Sequence, residues 1–315
     1  MAFIKKIGVL WRCVIGDSGL TASKRPAGIA AVALWMLGAI ISFSTLAIAG
    51  RAVSHALDPF EIMLYRSIFG VLFVTFVAWF MGTISQINRS NRVLHIGRNL
   101  CHFAGQALWL YALPLLTLAE VFALEFTSPI WVVILSPLFL GERLTWTRVL
   151  VALIGFFGIL IISRPGVVAL NTGFFAAAGS AVCFAGSIIL TKRLTKTETI
   201  TCILFYLTLI QLGLGVLCAG FDGEIALPSW QLWPWLILIG LSGLSAHFCL
   251  TNALLLAPAT VVVPFDFIRL PAIAVVGLVF YDEPLDGFVL VGALIIFGAN
   301  YLNILTETRH PSSGR

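Results

Sequence analysis

Glu125 and Ser128 lie three residues apart, and so do Asp266 and Arg269. A spacing of three keeps both members of a pair on one helix face. All four sit inside apolar runs, where an ionisable group is costly and tends to mark a pathway or an ion pair. Glu125 and Asp266 could line a solute path, bind a cationic group or exchange a proton. They could equally form structural pairs, Asp266 with Arg269 or Glu125 with Arg66. His102, Gln106 and Trp109 recur at i, i+4 and i+7, one stripe of a helix. His247, one turn before Thr251, adds a second imidazole in another run. Such an aromatic, hydrogen-bonding wall suits a planar or amphipathic solute, although the same groups also serve as interhelical hydrogen bonds. Glu120 lies nearer a run's end and reads as a hydrated vestibule residue.

Patterns of soluble catalysis are missing. Gly16-Asp17-Ser18-Gly19 sits in a tail with no scaffold for a nucleophile. Gly240-Leu241-Ser242-Gly243 has its nearest histidine, His247, on the same helix rather than on a facing one. The sequence contains no HExxH and no phosphate-binding glycine loop, so neither metal hydrolysis nor ATP drive is indicated. Cys13, Cys101, Cys183, Cys202, Cys218 and Cys249 form no CxxC and read as small packing residues. No cofactor and no metal are expected.

The elements that must position these groups follow from composition. Of 315 residues, 60% are hydrophobic and 10% charged, too little polar surface for a water-soluble globule of this size. Lipid must be the solvent, and the backbone must then be helical throughout its spans. A span needs about 20 apolar residues. Ten candidates lie near 27–49, 59–81, 93–113, 117–140, 146–163, 167–190, 200–219, 230–256, 260–280 and 287–305. Only Pro114-Leu115-Leu116 separates the third from the fourth, and only the region of Pro258 separates the eighth from the ninth.

Positive charge tests this count. With a cytoplasmic N-terminus and ten spans, 14 of the 19 lysines and arginines face the cytoplasm. Arg51 and Arg164 face outward, and Arg66, Arg98 and Arg269 stay within spans. That bias is the one expected of a membrane protein with both termini inside. The net charge of +5 is therefore a topological signal, and no nucleic-acid partner is implied. Trp146, Trp230, Trp233 and Trp235 fall at span ends, where an amphipathic ring suits the headgroup level. Residues 1–26 form a cytoplasmic segment, either a short interfacial helix or a tail. Residues 306–315 form a cytoplasmic tail.

An internal offset of 141 residues relates the two halves. It carries Glu142 to Glu283, Tyr65 to Tyr206, Gln106 to His247, Glu125 to Asp266 and Ser128 to Arg269. Five spans is an odd number, so the second half begins on the opposite face and the repeat is inverted. Inverted repeats place a solute site near the midplane, between the halves. Glu125 lies eight residues into its span, roughly 12 Å deep at 1.5 Å per residue, and Asp266 corresponds to it. The fold expected is an all-α membrane protein, ten transmembrane helices in two inverted five-helix repeats, over residues 27–163 and 167–305.

The run Leu140-Gly141-Glu142-Arg143-Leu144, after a span containing Ala119, Pro129 and Pro137, resembles the EamA-type domain of the drug/metabolite transporter superfamily. The resemblance covers about residues 28 to 305. In the second half, Tyr281-Asp282-Glu283-Pro284-Leu285 departs from the pattern. The resemblance implies spans three, four, eight and nine around a cavity. It also implies secondary or facilitative transport of an amino-acid derivative, S-adenosylmethionine or a vitamin such as riboflavin by alternating access, across a bacterial inner membrane.

The expected partners are a small-molecule solute and the lipid bilayer. The chain is not expected to be an enzyme. A membrane enzyme acting on a lipid, with Glu125, Asp266 and His102 as acid–base groups, and a channel are the alternatives. Small-residue faces such as Gly155-x-x-Gly158 and Gly240-x-x-Gly243 serve internal packing or a homodimer, and the sequence leaves both open.

Overall fold

A computed structural model describes residues 29–128, 130–132, 134–135, 146–164, 171–221, 225–256, 268–284 and 286–309. Over these residues the chain is helical. The α-helices are α1 (Ile29–Val53), α2 (Pro59–Phe80), α3 (Arg92–Ala112), α4 (Leu118–Glu125), α5 (Trp146–Ser163), α6 (Thr172–Leu194), α7 (Ile200–Ala219), α8 (Trp233–Leu256), α9 (Arg269–Tyr281) and α10 (Gly287–Arg309). Single 3-10 turns at Ile84–Gln86 and Trp230–Leu232 precede α3 and α8.

Local chemistry explains where several helices start. Asp58 accepts hydrogen bonds from the backbone N–H groups of Phe60 and Glu61, while Glu61 accepts from the Asp58 N–H, and Pro59 follows the cap. Thr117 and Glu120 repeat the same reciprocal capping box on α4. Asn171 and Thr199 cap α6 and α7 through their side-chain oxygens. Each cap satisfies N–H groups that the helix itself leaves without acceptors. The break expected at Pro114-Leu115-Leu116 is present as a turn that delivers Thr117 to its cap. The break expected near Pro258 lies outside the described residues, as do the N-terminal segment and residues 310–315.

The fourth span departs from expectation. The sequence reads as one run over 117–140, but α4 ends at Glu125 and a turn at Phe126-Thr127 intervenes before helical backbone resumes at Ser128. Pro129 explains the interruption, because a proline has no N–H to offer the carbonyl four residues earlier, that of Glu125. The freed Glu125 carbonyl accepts the Ser128 hydroxyl at 2.6 Å, and the Leu124 carbonyl accepts the Thr127 hydroxyl at 2.7 Å.

Helices pack in partnered sets: α1 against α8, α3 against α6, α2 against α7, α5 against α10, and α4 against α9. Small residues set the closest approaches. A Cβ on Gly158 of α5 would meet the carbonyl oxygen of Gly292 at 2.8 Å, and one on Gly292 would meet that of Gly158 at 2.7 Å. At Gly240 of α8 the obstacle is the Arg66 carbonyl on α2, at 3.0 Å. The Gly155-x-x-Gly158 and Gly240-x-x-Gly243 pairs thus lie in contacts inside the chain.

The outer surface is strongly apolar. Leu34, Leu37, Phe76, Trp79, Phe80, Leu153, Phe157, Val279 and Leu294 all have more than half their surface uncovered. Among the described residues, five helices, from α1, α2, α6, α7 and α8, are long and apolar enough to cross a bilayer. The chain is an integral, all-helical membrane protein, and its uncovered leucines and aromatics are the surface that lipid covers.

Candidate functional site

The break in α4 exposes Glu125 to two other helices. Its carboxylate accepts the Trp109 indole N–H from α3 at 2.9 Å and pairs with the Arg269 guanidinium from α9 at 2.9 Å. Arg269 is almost fully buried, its side chain 4% exposed. It lies over the rings of Phe43, Phe122 and Phe126, 4.7, 4.9 and 5.1 Å from their centroids. Aromatic faces partly replace lost hydration around a cation. The ion pair joins the first half of the chain to the second. Of the two structural pairings the sequence allowed, Glu125 with Arg66 is not formed, because Glu125 pairs with Arg269. The other involves Asp266, which lies outside the described residues.

Phe43 of α1 extends the site. Its ring packs edge-on against His247 of α8, with centroids 5.7 Å apart, and His247 packs edge-on against His102 of α3 at 5.1 Å. His102, Gln106 and Trp109 are all buried along one stripe of α3, as their spacing implies. The Gln106 side-chain oxygen Oε1 and His102 Nε2 have no hydrogen-bond partner among the described residues. A chain of contacts therefore runs from Trp109 through Glu125, Arg269, Phe43 and His247 to His102. It connects five helices from both halves.

Sequence reasoning missed several residues here. Phe43, Phe122 and Phe126 are three among 24 phenylalanines and carry no signal until Arg269 is seen against them. Arg66 and Arg98 are buried polar residues on α2 and α3. The sequence set both charges within apolar runs but gave them no place in the solute path.

A second set of contacts ties helix ends together. Arg51, at the end of α1, pairs with Glu283 at 2.9 Å and donates to the Leu116 carbonyl. Glu283 also accepts the Leu118 N–H at 2.8 Å, and the Arg51 guanidinium lies over the Tyr281 ring. Arg164, after α5, pairs with Asp286. Glu61, in the first turn of α2, accepts the Ala226 N–H. Between two loops, Asn88, Ser90 and Asn91 of the α2–α3 loop donate to the Glu198 carboxylate of the α6–α7 loop at 2.7, 2.8 and 2.7 Å. Partial burial alone would raise the Glu198 pKa, but hydrogen bonds from Asn91, Ser90, Cys202 and Asn88 outweigh it and hold the carboxyl below its usual range.

The helical membrane bundle with buried charge between two halves defines a class, polytopic membrane proteins with an interior polar site. The EamA-like transporter family matches residues 30–164 and again residues 171–305, and the chain belongs to that family. It is 25% identical over 276 residues to an S-adenosylmethionine uptake transporter of Rickettsia bellii (strain RML369-C), covering 87% of this chain and 94% of that one. It is 33% identical over 214 residues to a riboflavin transporter of Brucella anthropi, covering 66% of this chain and 75% of that one. A solved crystal structure shares the fold with a TM-score of 0.63 at 20% identity, over 90% of this chain and 99% of that one.

Proposed function

We propose that the chain moves a small polar or amphipathic metabolite across the bacterial inner membrane by alternating access, with the solute held between the two halves. The observation that carries this reading is the Glu125–Arg269 pair, a buried contact between the halves set at a broken helix and walled by Trp109 and Phe43. Interrupted helices supply polar groups at membrane depth in transporters built from repeats.

The ten-span inverted architecture is part of the proposal. Its support is twofold. The partnered sets are unchanged when each helix is exchanged with the one five places on: α1–α8 becomes α6–α3, while α2–α7, α4–α9 and α5–α10 map onto themselves. The contacts also bring the ends of odd-numbered helices together with the starts of even-numbered ones. Arg51 at the end of α1 meets Glu283 after α9 and the start of α4, Arg164 after α5 meets Asp286 before α10, and Ala226 after α7 meets Glu61 in α2. That arrangement suits spans alternating in direction, with α1 and α6 entering from opposite faces. The distribution of lysine and arginine makes the face of Arg51 and Glu283 the outer one.

In this reading Glu125, Arg269, Trp109, His102, Gln106 and His247 line the solute path, and Asp266 joins them from the position that corresponds to Glu125. The solute breaks or borrows the Glu125–Arg269 pair, so either charge can turn to a charged group on the ligand. S-adenosylmethionine and riboflavin, the solutes named for relatives, are the first to try. Saturable uptake of either into proteoliposomes holding the purified chain, above empty liposomes, is the expected result. Uptake indistinguishable from empty liposomes for both, and for a panel of amino acids, would remove the reading.

A further inference from the structure

Two arginines in the bundle are not explained by the site above. Arg66 of α2 and Arg98 of α3 are 7% and 3% exposed. Among the described residues, Arg98 donates only to neutral oxygens, Thr191 Oγ1 at 3.1 Å and Asn99 Oδ1 at 3.2 Å. Arg66 forms no hydrogen bond or ion pair among the described residues, and its buried Nη1 has no acceptor. The two guanidiniums lie within Coulombic reach of each other and of the His102–His247 pair. Like charges gathered in a low-dielectric interior repel strongly and lack the hydration that would pay for them.

Counting charges sharpens the point. The apolar runs hold three arginines, Arg66, Arg98 and Arg269, against two carboxylates that the sequence leads one to expect at depth, Glu125 and Asp266. Glu125 is engaged by Arg269. Even with every deep carboxylate counted, one positive charge remains over. Arg66 also borders a narrow cleft between α2, α7 and α8, lined by Ser67, Gly70, Thr208, Gln211 and Gly243. Gln211 is buried there with its side-chain oxygen unpartnered. The glycines keep the wall beside the guanidinium thin, since a Cβ on Gly243 would stand 3.5 Å from Arg66 Nη2.

We propose that Arg66 and Arg98 form an anion subsite, which receives a carboxylate or phosphate group carried by the transported solute. The proposal rests on the transporter reading and narrows its substrate class to solutes with an anionic group. The guanidinium supplies planar, paired donors that match either group. The groups around the His102–His247 pair and Phe43 then take the solute's ring or chain. The bound anion cancels the excess charge, so the loaded carrier is cheaper to rearrange than the empty one.

The test uses the full chain, in detergent for binding and thermal unfolding and in proteoliposomes for uptake, with two matched pairs of probes. These are riboflavin 5′-phosphate against riboflavin, and S-adenosylmethionine against its decarboxylated form. Thermal unfolding and uptake are read at constant chloride. The expected result is that, in at least one pair, the anionic member binds about tenfold or more tightly than its partner, as one charge-assisted hydrogen bond is worth. Arg66→Met and Arg98→Met abolish that preference. Ligand-free Arg66→Met melts no lower than the wild type, because it removes an unpaired charge and no hydrogen bond. Three results would overturn the proposal: no preference for the anionic member in either pair, a preference that survives both substitutions, or a ligand-free Arg66→Met protein that melts well below the wild type. Uptake of riboflavin that persists while the preference is absent would discard the subsite and leave the transporter reading standing.

Discussion

At the residue scale, one buried ion pair carries most of the meaning. Glu125 and Arg269 are 16% and 4% exposed at their side chains. Removing one partner of a buried pair typically costs about 3–5 kcal/mol. Glu125→Gln and Arg269→Gln should each lower the thermal midpoint in detergent, and the double variant should recover part of the loss. Additive losses in that double-mutant cycle would show that the two groups are not coupled. The sequence made Glu125, Arg269 and Trp109 visible because polar groups in apolar runs are rare. It could not pair them, since 144 residues separate Glu125 from Arg269 and Arg66 offered an equally plausible partner on composition alone. Phe43 was invisible for the opposite reason: it is one apolar residue among many until a cation is seen over its ring.

At the element scale, helix ends and close approaches decide what moves. Arg51, Glu283 and the start of α4 are bound together; in the proposed orientation they lie at the outer face, and opening that face would require these contacts to separate. Arg51→Gln should raise the rate at which an impermeant thiol reagent, added outside, labels a cysteine placed at Ser54. An unchanged rate would argue that the pair does not hold the face closed. The Glu198 cluster ties the α2–α3 loop to the α6–α7 loop. Because the folded carboxyl titrates below its usual range, its contribution to stability is complete above about pH 4–5 and is lost as pH falls through the folded value. Wild-type thermal stability should decline over that acid window more steeply than that of Glu198→Gln, and parallel curves would contradict this. Gly158→Leu should destabilise strongly, by at least the about 1–3 kcal/mol typical of overpacking, since the α5 and α10 backbones touch there. Apolar run length located helices, and α2, α3, α5 and α7 begin and end within a residue of the limits expected. It did not give the break after Glu125, although Pro129 was in view, because a proline can bend a span as readily as interrupt it.

At the scale of the whole molecule, the offset that aligned Glu125 with Asp266 and Glu142 with Glu283 was legible in the sequence, and the family matches each half separately. Glu283 proved to be an anchor for Arg51 and α4. Glu142 and Asp266 lie outside the described residues. What the sequence could not supply is the crosswise packing of α1 on α8 and of α3 on α6, because apolar faces are interchangeable until the chain is assembled. That crossing makes each half depend on the other, and it suits a carrier whose halves exchange arrangements around a shared interior site.

The central claim is that the chain is a carrier with an interior site that faces one side at a time. Solute counterflow in proteoliposomes tests it most directly. Liposomes are loaded with unlabelled solute, diluted into a trace of the labelled form, and the internal label is followed in time. A carrier loaded on one side returns with labelled solute from the other, so the account predicts a transient overshoot above equilibrium. That overshoot should be absent in folded Glu125→Gln. Labelled solute that rises to equilibrium without overshoot, at the same rate whether or not the liposomes are preloaded, would contradict the account and point to a channel.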